Sequence, residues 1–303
     1  MRMIGAVDIG GTKIAVGAVR EDGTVAHLSE CRTAPALGFP DAMQRVRRML
    51  HEVVDACGDF DGIGIACPGP LNPFTGIIGE VGTLPGWQGG NLVEELDAEF
   101  RAPVAVENDA DAAALAEYVW GAARGVDSFI YITVSTGIGG GIILGGQLYR
   151  GVAGSHPELG HQTIDNSGPL CYCTARGCWE SLASGTAMAA WMCERSPESG
   201  PMSAAEICEL AIKGDESALL AVKREGYYLG LGMANLVTLF TPDVLALGGG
   251  VMRSSSLFLD DAVKVVRGLC TQVPAEKTRI NVSSLGSEAG LLGAAQAWLF
   301  RHR

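Results

Sequence analysis

A histidine and three cysteines near the middle of the chain have the spacing of metal ligands. Cys171, Cys173 and Cys178 fall within eight residues, and His161 lies shortly before them. One imidazole and three thiolates make a closed tetrahedral Zn²⁺ site, which folds a loop and leaves no open position for catalysis. We therefore predict a structural zinc site at these four residues. Free thiols or a labile disulfide are the alternatives.

Three glycine-rich loops each follow a predicted strand, and they indicate a phosphate-binding site. They are Asp8–Lys13 (DIGGTK), Ser135–Gly141 (STGIGGG) and Gly248–Gly250. Bare backbone amides in such turns can cradle a polyphosphate, and Asp8 could hold its Mg²⁺ through water. For the first loop alone, an ordinary hairpin turn is the alternative. Neither a Walker A loop nor a G-x-G-x-x-G sequence is present, which disfavours a P-loop or dinucleotide enzyme.

The three loops together predict a nucleotide that lies along a cleft. The residues we assign to ATP and its Mg²⁺ are Asp8, Gly10, Gly11, Thr12, Lys13, Thr136, Gly137, Gly139, Gly248, Gly249 and Gly250.

A candidate catalytic carboxylate is Asp109, which lies in the sequence ENDAD directly after a predicted strand. Phosphoryl transfer to an alcohol needs positioning, neutralisation of charge by Mg²⁺, and one carboxylate to accept the hydroxyl proton. Asp109 is suitably placed for that last role. The alternative from these residues alone is that Asn108 and Asp109 cap the following helix.

In this order and spacing, the three glycine loops resemble those of the ROK family of sugar kinases and repressors over nearly the whole chain. The resemblance implies an α/β, actin-like (ribonuclease H-like) ATPase fold with two lobes around a nucleotide and sugar cleft. It also implies Asp109 as the general base, and a homodimer. The sugar contacts that it implies are Gly69, Asn108, Asp109, Glu158, His161 and Glu180.

The chain departs from the family pattern at three positions, one of which is Thr83, where asparagine is more usual. Asp111 stands where the motif NDAN has asparagine, and Thr174 replaces the glycine of C-x-C-G-x-x-G-C-x-E. The segment 156–161 (HPELGH) is similar to that of some ROK fructokinases, whereas CWESLASG and Asn108 favour glucokinases. We therefore expect an ATP-dependent kinase acting on the 6-hydroxyl of glucose. A fructokinase, an N-acetylglucosamine or N-acetylmannosamine kinase and, more remotely, a non-catalytic sugar sensor are the alternatives.

The elements that must position these residues alternate between strand and helix, which predicts parallel strand pairs. Two hairpin patterns, near 4–19 and 129–144, suggest two related lobes. We expect a small lobe made of 1–120 and 290–303, and a large lobe of 121–289 that carries the zinc loop.

The charge and composition of the chain argue against some classes of binding partner. The net charge is −12 over 303 residues, and the basic residues are scattered, which argues against nucleic acid. The uncharged stretch 128–149 is rich in glycine, so we predict a hairpin and not a membrane span. Because DIGGTK begins at position 8, we expect no helix-turn-helix extension, no signal peptide and a cytoplasmic protein.

Overall fold

The computed structural model describes residues 2–197 and 200–302. The chain divides into two compact units. The first unit consists of Met1–Gly125, Gly141–Pro157 and Ser284–Arg303, and the second of Val126–Gly140 and Glu158–Ser283. The sequence-based boundaries differ from these chiefly at 141–157, which groups with the first unit although it follows the second hairpin.

The first unit is built on a five-stranded sheet with the order β3-β2-β1-β4-β5. Its strands are β1 (Met3–Ile9), β2 (Lys13–Arg20), β3 (Val25–Arg32), β4 (Gly62–Cys67) and β5 (Val104–Asn108). The β1–β2–β3 meander is antiparallel, whereas β4 pairs in parallel with both β1 and β5. The buried residues of β4 are uninterrupted, as expected for a strand covered on both faces.

Four helices pack in the first unit: α1 (Phe39–Cys57), α2 (Leu92–Phe100), α3 (Asp109–Val119) and α9 (Ala289–Arg301). Glycines let α9 approach the sheet closely. A Cβ on Gly64 would overlap the backbone of Ala294, and one on Gly62 would overlap the ring of Trp298. Residues of α9 therefore form one hydrophobic core with those of β1, β4 and α3.

The second sheet has the order β10-β9-β6-β7-β8. Its strands are β6 (Phe129–Val134), β7 (Ile138–Leu144), β8 (Gln147–Leu148), β9 (Val244–Gly248) and β10 (Arg279–Val282). Strand β9 pairs in parallel with β6 and β10. The boundary between the two units falls within β7, between Gly140 and Gly141.

The helices of the second unit are α4 (Glu180–Ala183), α5 (Gly185–Arg195), α6 (Ala204–Ile212), α7 (Glu216–Phe240) and α8 (Leu259–Leu269). The glycines along α7 pack closely: a Cβ on Gly230 would lie 2.7 Å from the carbonyl oxygen of Ala262, and one on Gly232 would overlap the ring of Trp179. Trp179 is fully buried, so α7 fixes the end of the cysteine-rich loop.

Most of the expected strands and helices are present, including the strand–turn–strand patterns at 4–19 and 129–144. Helices α2, α4 and α8 and strands β8 and β10 were not expected. In the described part of the chain, no helix combines the length and the apolar character needed to cross a bilayer.

Candidate functional site

Two predicted site residues, Asp8 and Asp109, lie with Cys67 where neighbouring parallel strands of the first unit end. Asp8 is near the end of β1, Cys67 ends β4, and Asp109 follows the last residue of β5. In the register of the sheet, Asp8 is opposite Ala66 and Cys67 is opposite Asn108. Open α/β sheets bind their ligands at the carboxyl ends of the strands. The fold therefore gathers these carboxylates where a ligand is expected.

The carboxylate of Asp8 is held in an unusual environment. Burial, followed by the negative charge of Asp109, raises the pKa of Asp8 to about 7. The first turn of α9 lies against it, since a Cβ on Gly290 would overlap the Asp8 carboxylate. Two carboxylates of like charge repel each other, and a cation would relieve that repulsion. This arrangement fits Mg²⁺ held near Asp8.

Asn108 is the N-cap of α3, which is the alternative role that the residues alone indicated for it. Its side-chain oxygen accepts hydrogen bonds from the amides of Ala110 at 2.9 Å and Asp111 at 3.3 Å. Its amide nitrogen points toward Gly69, where an added Cβ would lie 3.1 Å from it. The cap leaves the Asn108 NH₂ group as the end that can meet a ligand, while Asp109 begins the helix.

The DIGGTK turn is partly closed by its own hydrogen bonds. The amide of Gly10 donates to the carbonyl of Lys13 at 2.8 Å and closes the turn, and Thr33 donates its hydroxyl to the carbonyl of Gly10 at 2.5 Å. Lys13 directs its ammonium to Glu30 at 2.6 Å. The Gly10 amide is therefore occupied within the turn. Among the predicted phosphate contacts of this turn, the amides of Gly11 and Thr12 are the ones that remain for a phosphate.

A cavity of about 480 Å³ in the second unit contains only part of the predicted nucleotide residues. Thr136 and Gly250 line it, together with Ser135, Thr186, Cys208 and Arg253. The first residues of α5 and α6, Gly185 and Ala204, also line it. Helix N-termini present unpaired amides and a positive dipole end to anions. The cavity thus has the features of a site for a phosphorylated ligand.

The other predicted glycines of the second unit are explained by packing. A Cβ on Gly248 would overlap the Tyr131 hydroxyl, and one on Gly249, whose φ is +91°, would overlap the backbone of Val134. A Cβ on Gly137 would overlap the carboxylate of Glu180. Gly139 lies within β7. Glycine is required at Gly249 before any ligand is considered, whereas at Gly248 and Gly137 a larger residue would displace the neighbouring side chain.

Glu180 is tied to the second glycine loop. One of its carboxylate oxygens accepts a hydrogen bond from the amide of Ile138 at 2.9 Å. Glu180 begins α4 immediately after Cys178 and Trp179. The loop of cysteines and the loop of glycines are therefore joined through this carboxylate, and its second oxygen is left for a ligand.

The predicted zinc ligands come together. The ligand atoms of His161, Cys171, Cys173 and Cys178 all lie within 4.8 Å of one another. The Cys171 Sγ is 3.6 Å from His161 Nδ1, and the Cys173 and Cys178 Sγ atoms are 3.4 Å apart. Three soft thiols and one imidazole form the donor set of structural zinc. The residues therefore fit a zinc ion.

The cysteine loop is held by backbone hydrogen bonds as well as by its side chains. The amide of Cys171 donates to Ala175 at 2.8 Å, and that of Ile164 donates to Gly177 at 2.9 Å. Gly177 has a φ of +64°, and a Cβ there would overlap the carbonyl of Asp165. The glycine that the family pattern keeps in this loop is thus a steric necessity.

The ROK family model matches residues 4–302. The chain belongs to the ROK family. A glucokinase of Thermotoga maritima is 32% identical over 309 residues, which cover 97% of this chain and 96% of that protein. The crystal structure of a ROK glucokinase from Streptomyces griseus, in complex with glucose and AMPPNP, has a TM-score of 0.82 at 32% identity and covers 97% of this chain and 98% of that one.

The xylose repressor of Bacillus subtilis is 35% identical over 232 residues, which cover 77% of this chain and 59% of the repressor. The ROK family thus includes both enzymes and repressors among the relatives of this chain. The fold of this chain is the actin-like ATPase fold of the ROK sugar kinases. This confirms the expected fold class.

Asp111, which departs from the ROK pattern, lies close to the side chain of His156. Asp111 is buried, and its carboxylate lies 2.9 Å from Nδ1 of His156, whose side chain is also largely buried. His156 begins the HPELGH segment, so two departures from the glucokinase pattern lie within salt-bridge distance of each other. Asp111 does not disturb the cap of α3, because its own amide still donates to Asn108.

A second buried charge lies beside this pair. Burial raises the pKa of Glu107, opposed mainly by the charge of Arg150. Arg150 and Arg301 both contact the Glu107 carboxylate, Arg301 at 3.3 Å. These charges are compensated within the first unit, and they pack directly behind the strand end that carries Asp109.

Sequence reasoning missed several residues that lie at these sites. Arg253 and Cys208 line the cavity, and Tyr172 donates to or accepts from Nε2 of His161 at 2.9 Å. The start of α6 was detectable, since Ser203 and Glu206 form a capping box. Nothing in the sequence around Tyr172 distinguished it from the other polar residues of its loop.

Proposed function

We propose that the protein is an ATP-dependent hexose kinase that transfers the γ-phosphoryl group to the 6-hydroxyl of glucose. The observation that carries this proposal is the pair of carboxylates, Asp8 at the end of β1 and Asp109 after β5, on either side of β4 in the sheet of the first unit. They are close enough for Asp109 to raise the pKa of Asp8. Similarity over the full length to glucokinases supports the same activity.

In this proposal Asp109 is the general base. It accepts the proton of the attacking hydroxyl as that oxygen bonds to phosphorus, which is the one proton transfer that the reaction requires. Asp8 would hold the Mg²⁺. When bound, Mg²⁺ neutralises charge on the phosphates. Its positive charge would offset the burial and the charge of Asp109 that raise the pKa of Asp8, so that both carboxylates would be ionised.

The nucleotide contacts are also proposals. The cavity with Thr136 and Gly250, at the starts of α5 and α6, suits the nucleotide, because helix N-termini favour negative charge. The amides of Gly11 and Thr12 suit the terminal phosphates. Gly10, Gly137, Gly248 and Gly249 contribute by letting the loops take their close-packed shapes, and Gly139 is proposed as a contact from the sequence alone.

Sugar hydroxyls would be recognised by amide and carboxylate groups. On the first unit these are the NH₂ group of Asn108 beside Gly69, and Asp109 itself. On the second unit they are Glu158, Glu180 and His161. A buried polar group left unpaired by the wrong epimer costs binding energy, which gives selectivity. Zinc would order the loop that carries Glu180 and orient the His161 ring.

Two alternatives within the kinase class remain open to test. His156 begins the segment 156–161 that is similar to that of some fructokinases, so fructose is the first competitor. N-acetylglucosamine and N-acetylmannosamine are the second. A sugar sensor without turnover is a different class, favoured by the match to a xylose repressor.

The experiment is an ADP-release assay with MgATP and each of glucose, fructose, mannose, N-acetylglucosamine and N-acetylmannosamine. The proposal predicts the highest kcat/KM for glucose. A higher kcat/KM for another sugar would replace glucose as the substrate. Sugar binding by calorimetry without ADP release from any sugar would favour the sensor.

We further propose a cytoplasmic homodimer that has no nucleic-acid or membrane partner. Light scattering coupled to size exclusion should give twice the chain mass of 31.6 kDa. A mass equal to one chain would contradict the dimer.

A further inference from the structure

The cavity in the second unit, about 480 Å³ in volume, has the size of a small-molecule site. Several of its lining elements meet at one end. A Cβ added to Gly185, the first residue of α5, would lie 2.9 Å from the carbonyl oxygen of Ser135. It would also lie 3.1 Å from the side chain of Val251 and 3.5 Å from that of Ala204, which begins α6. Helix N-termini favour negative charge, so this end of the cavity suits phosphates.

Farther along the same helices the cavity is lined by small side chains. Ala189 and Cys208 each lie four residues beyond those helix starts, which is about 6 Å along a helix. Cys208 is buried, and its thiol contacts the side chain of Ser254. Apolar walls with few polar groups are typical of sites for flat organic rings. This second end of the cavity therefore suits a nucleobase.

Arg253 brings a positive charge to this cavity, whose other lining residues are all uncharged. It lies in the 3₁₀ helix Gly250–Leu257, next to Ser254, which contacts Cys208. Arg253 is thus near the end that suits the nucleobase. Its side chain is exposed, and within 2–197 and 200–302 it makes no hydrogen bond or ion pair.

Other arginines of the second unit are held by the protein itself. Arg224 donates to the carbonyl of Leu182 at 2.6 Å, and Arg267 donates to the carbonyl of Thr278 at 2.8 Å. Arg253 has no such contact among the described residues, so its guanidinium is available to a ligand in the cavity.

We propose that Arg253 binds the nucleobase of the nucleotide, with its planar guanidinium packed on the purine ring at the end of the cavity lined by Ala189 and Cys208. A guanidinium stacks on aromatic rings, and its charge adds a cation–π attraction to the stacked base. This inference rests on the proposed function, because it assumes that the cavity holds the nucleotide. It names the residue that would hold the base.

The test measures binding of three probes by calorimetry to wild type and Arg253→Ala. Adenosine has the base without charge, magnesium tripolyphosphate has the charge without a base, and MgADP has both. In Arg253→Ala the dissociation constants of adenosine and MgADP should rise about tenfold, in the range of a lost base-stacking contact. The affinity for magnesium tripolyphosphate should stay as in wild type.

Lys223→Ala is the matched control, because it removes one positive charge from an exposed position of α7 outside the cavity. It should leave the affinities for all three probes unchanged. Unchanged adenosine binding by Arg253→Ala overturns the proposal. A loss of tripolyphosphate affinity as large as the loss for adenosine also overturns it. If the unfolding temperature of Arg253→Ala falls, Arg253→Gln takes its place.

Failure of the proposed function is seen separately. If wild type binds adenosine and MgADP but releases no ADP with any of the sugars, the kinase assignment fails, and the adenosine affinity of Arg253→Ala still decides on the base contact. If wild type binds neither adenosine nor MgADP, both proposals are wrong.

Discussion

Thr174 occupies a backbone conformation that its residue type avoids. Its φ is +73°, in the left-handed region, where a β-branched residue is a genuine outlier. This is the position at which the ROK pattern has glycine. The sequence showed the substitution, but only the backbone shows that the replacement is strained.

We predict that Thr174→Gly raises the free energy of unfolding by about 1 kcal/mol, because relief of strain exceeds the added entropy of the unfolded chain. Thermal and urea unfolding measure it. Thr241, with φ +42° at the end of α7, is the matched site. Thr241→Gly should also stabilise the protein, but only Thr174→Gly should slow the loss of zinc to a chelator. Equal zinc loss from both variants would argue against strain in the loop.

Asp111 and His156 show what single positions in the sequence could not reveal. Each departs from the glucokinase pattern by itself, and their sequence separation gives no hint that they pair. The structure joins them at 2.9 Å. Asp109 and Asn108 were found from the sequence because the strand-to-helix junction that holds them is local.

Breaking the buried pair should be costly. Asp111→Asn, which restores the residue usual in the family, leaves His156 without its counter-ion, and we expect a loss of about 3 kcal/mol of stability. Asp55→Asn, on the exposed face of α1, is the control. The double variant Asp111→Asn with His156→Gln should recover part of the loss. No recovery would mean that the two side chains do not interact.

At the scale of elements, helix α7 contains a buried glutamate whose carboxylate has no hydrogen-bond partner among the described residues. Glu225 is fully buried, and among the described residues neither of its carboxylate oxygens has a hydrogen-bond partner. Burial raises the pKa of Glu225 well above 4.5. The folded state keeps this proton, whereas the unfolded chain releases it above pH 4.5.

Glu225 therefore opposes folding more strongly as the pH rises from 4.5 toward its folded-state pKa. Glu225→Gln, which cannot ionise, should be more stable than wild type at pH 7, and the difference should shrink toward pH 4.5. Urea unfolding across that range measures it. Glu209→Gln, an exposed residue of α6, should show no such trend. A difference for Glu225→Gln that does not change with pH would contradict the buried, protonated state.

The cysteine loop is an element whose shape depends on its ligand. Cys173→Ser should reduce the zinc content from about one per chain to near zero and lower the unfolding temperature, because structural zinc supplies folding energy directly. Cys193→Ser, an exposed cysteine outside the cluster, is the matched control. Metal analysis after dialysis checks both. A Cys173→Ser protein that keeps its zinc would remove the zinc assignment.

Elements with strong local signals were predictable and others were not. The β1–β2 hairpin and α7 follow directly from the patterning of apolar residues. Helix α2 was missed although Asn91 caps it through the amides of Val93 and Glu94, a signal that could have been recognised. Strand β10 has four residues, mostly exposed, and carries no alternating pattern.

At the scale of the whole molecule, the fold class was predicted because the three glycine loops, in their order along the chain, resemble those of the ROK family. They could not assign 141–157 to the first unit, since that depends on contacts distant in sequence. For the same reason the cavity residues of α5 and α6 were absent from the predicted nucleotide site, which was derived from glycine patterns alone.

The central claim is that Asp109 is the base of a sugar phosphotransferase. The most direct measurement is glucose-dependent ADP release by wild type, Asp109→Asn and the surface control Asp55→Asn, together with glucose binding by calorimetry. We predict that Asp109→Asn lowers kcat by about 10²- to 10⁴-fold, the usual contribution of a general base, while glucose still binds and Asp55→Asn behaves as wild type. An Asp109→Asn protein that keeps more than about a tenth of wild-type turnover would contradict the account.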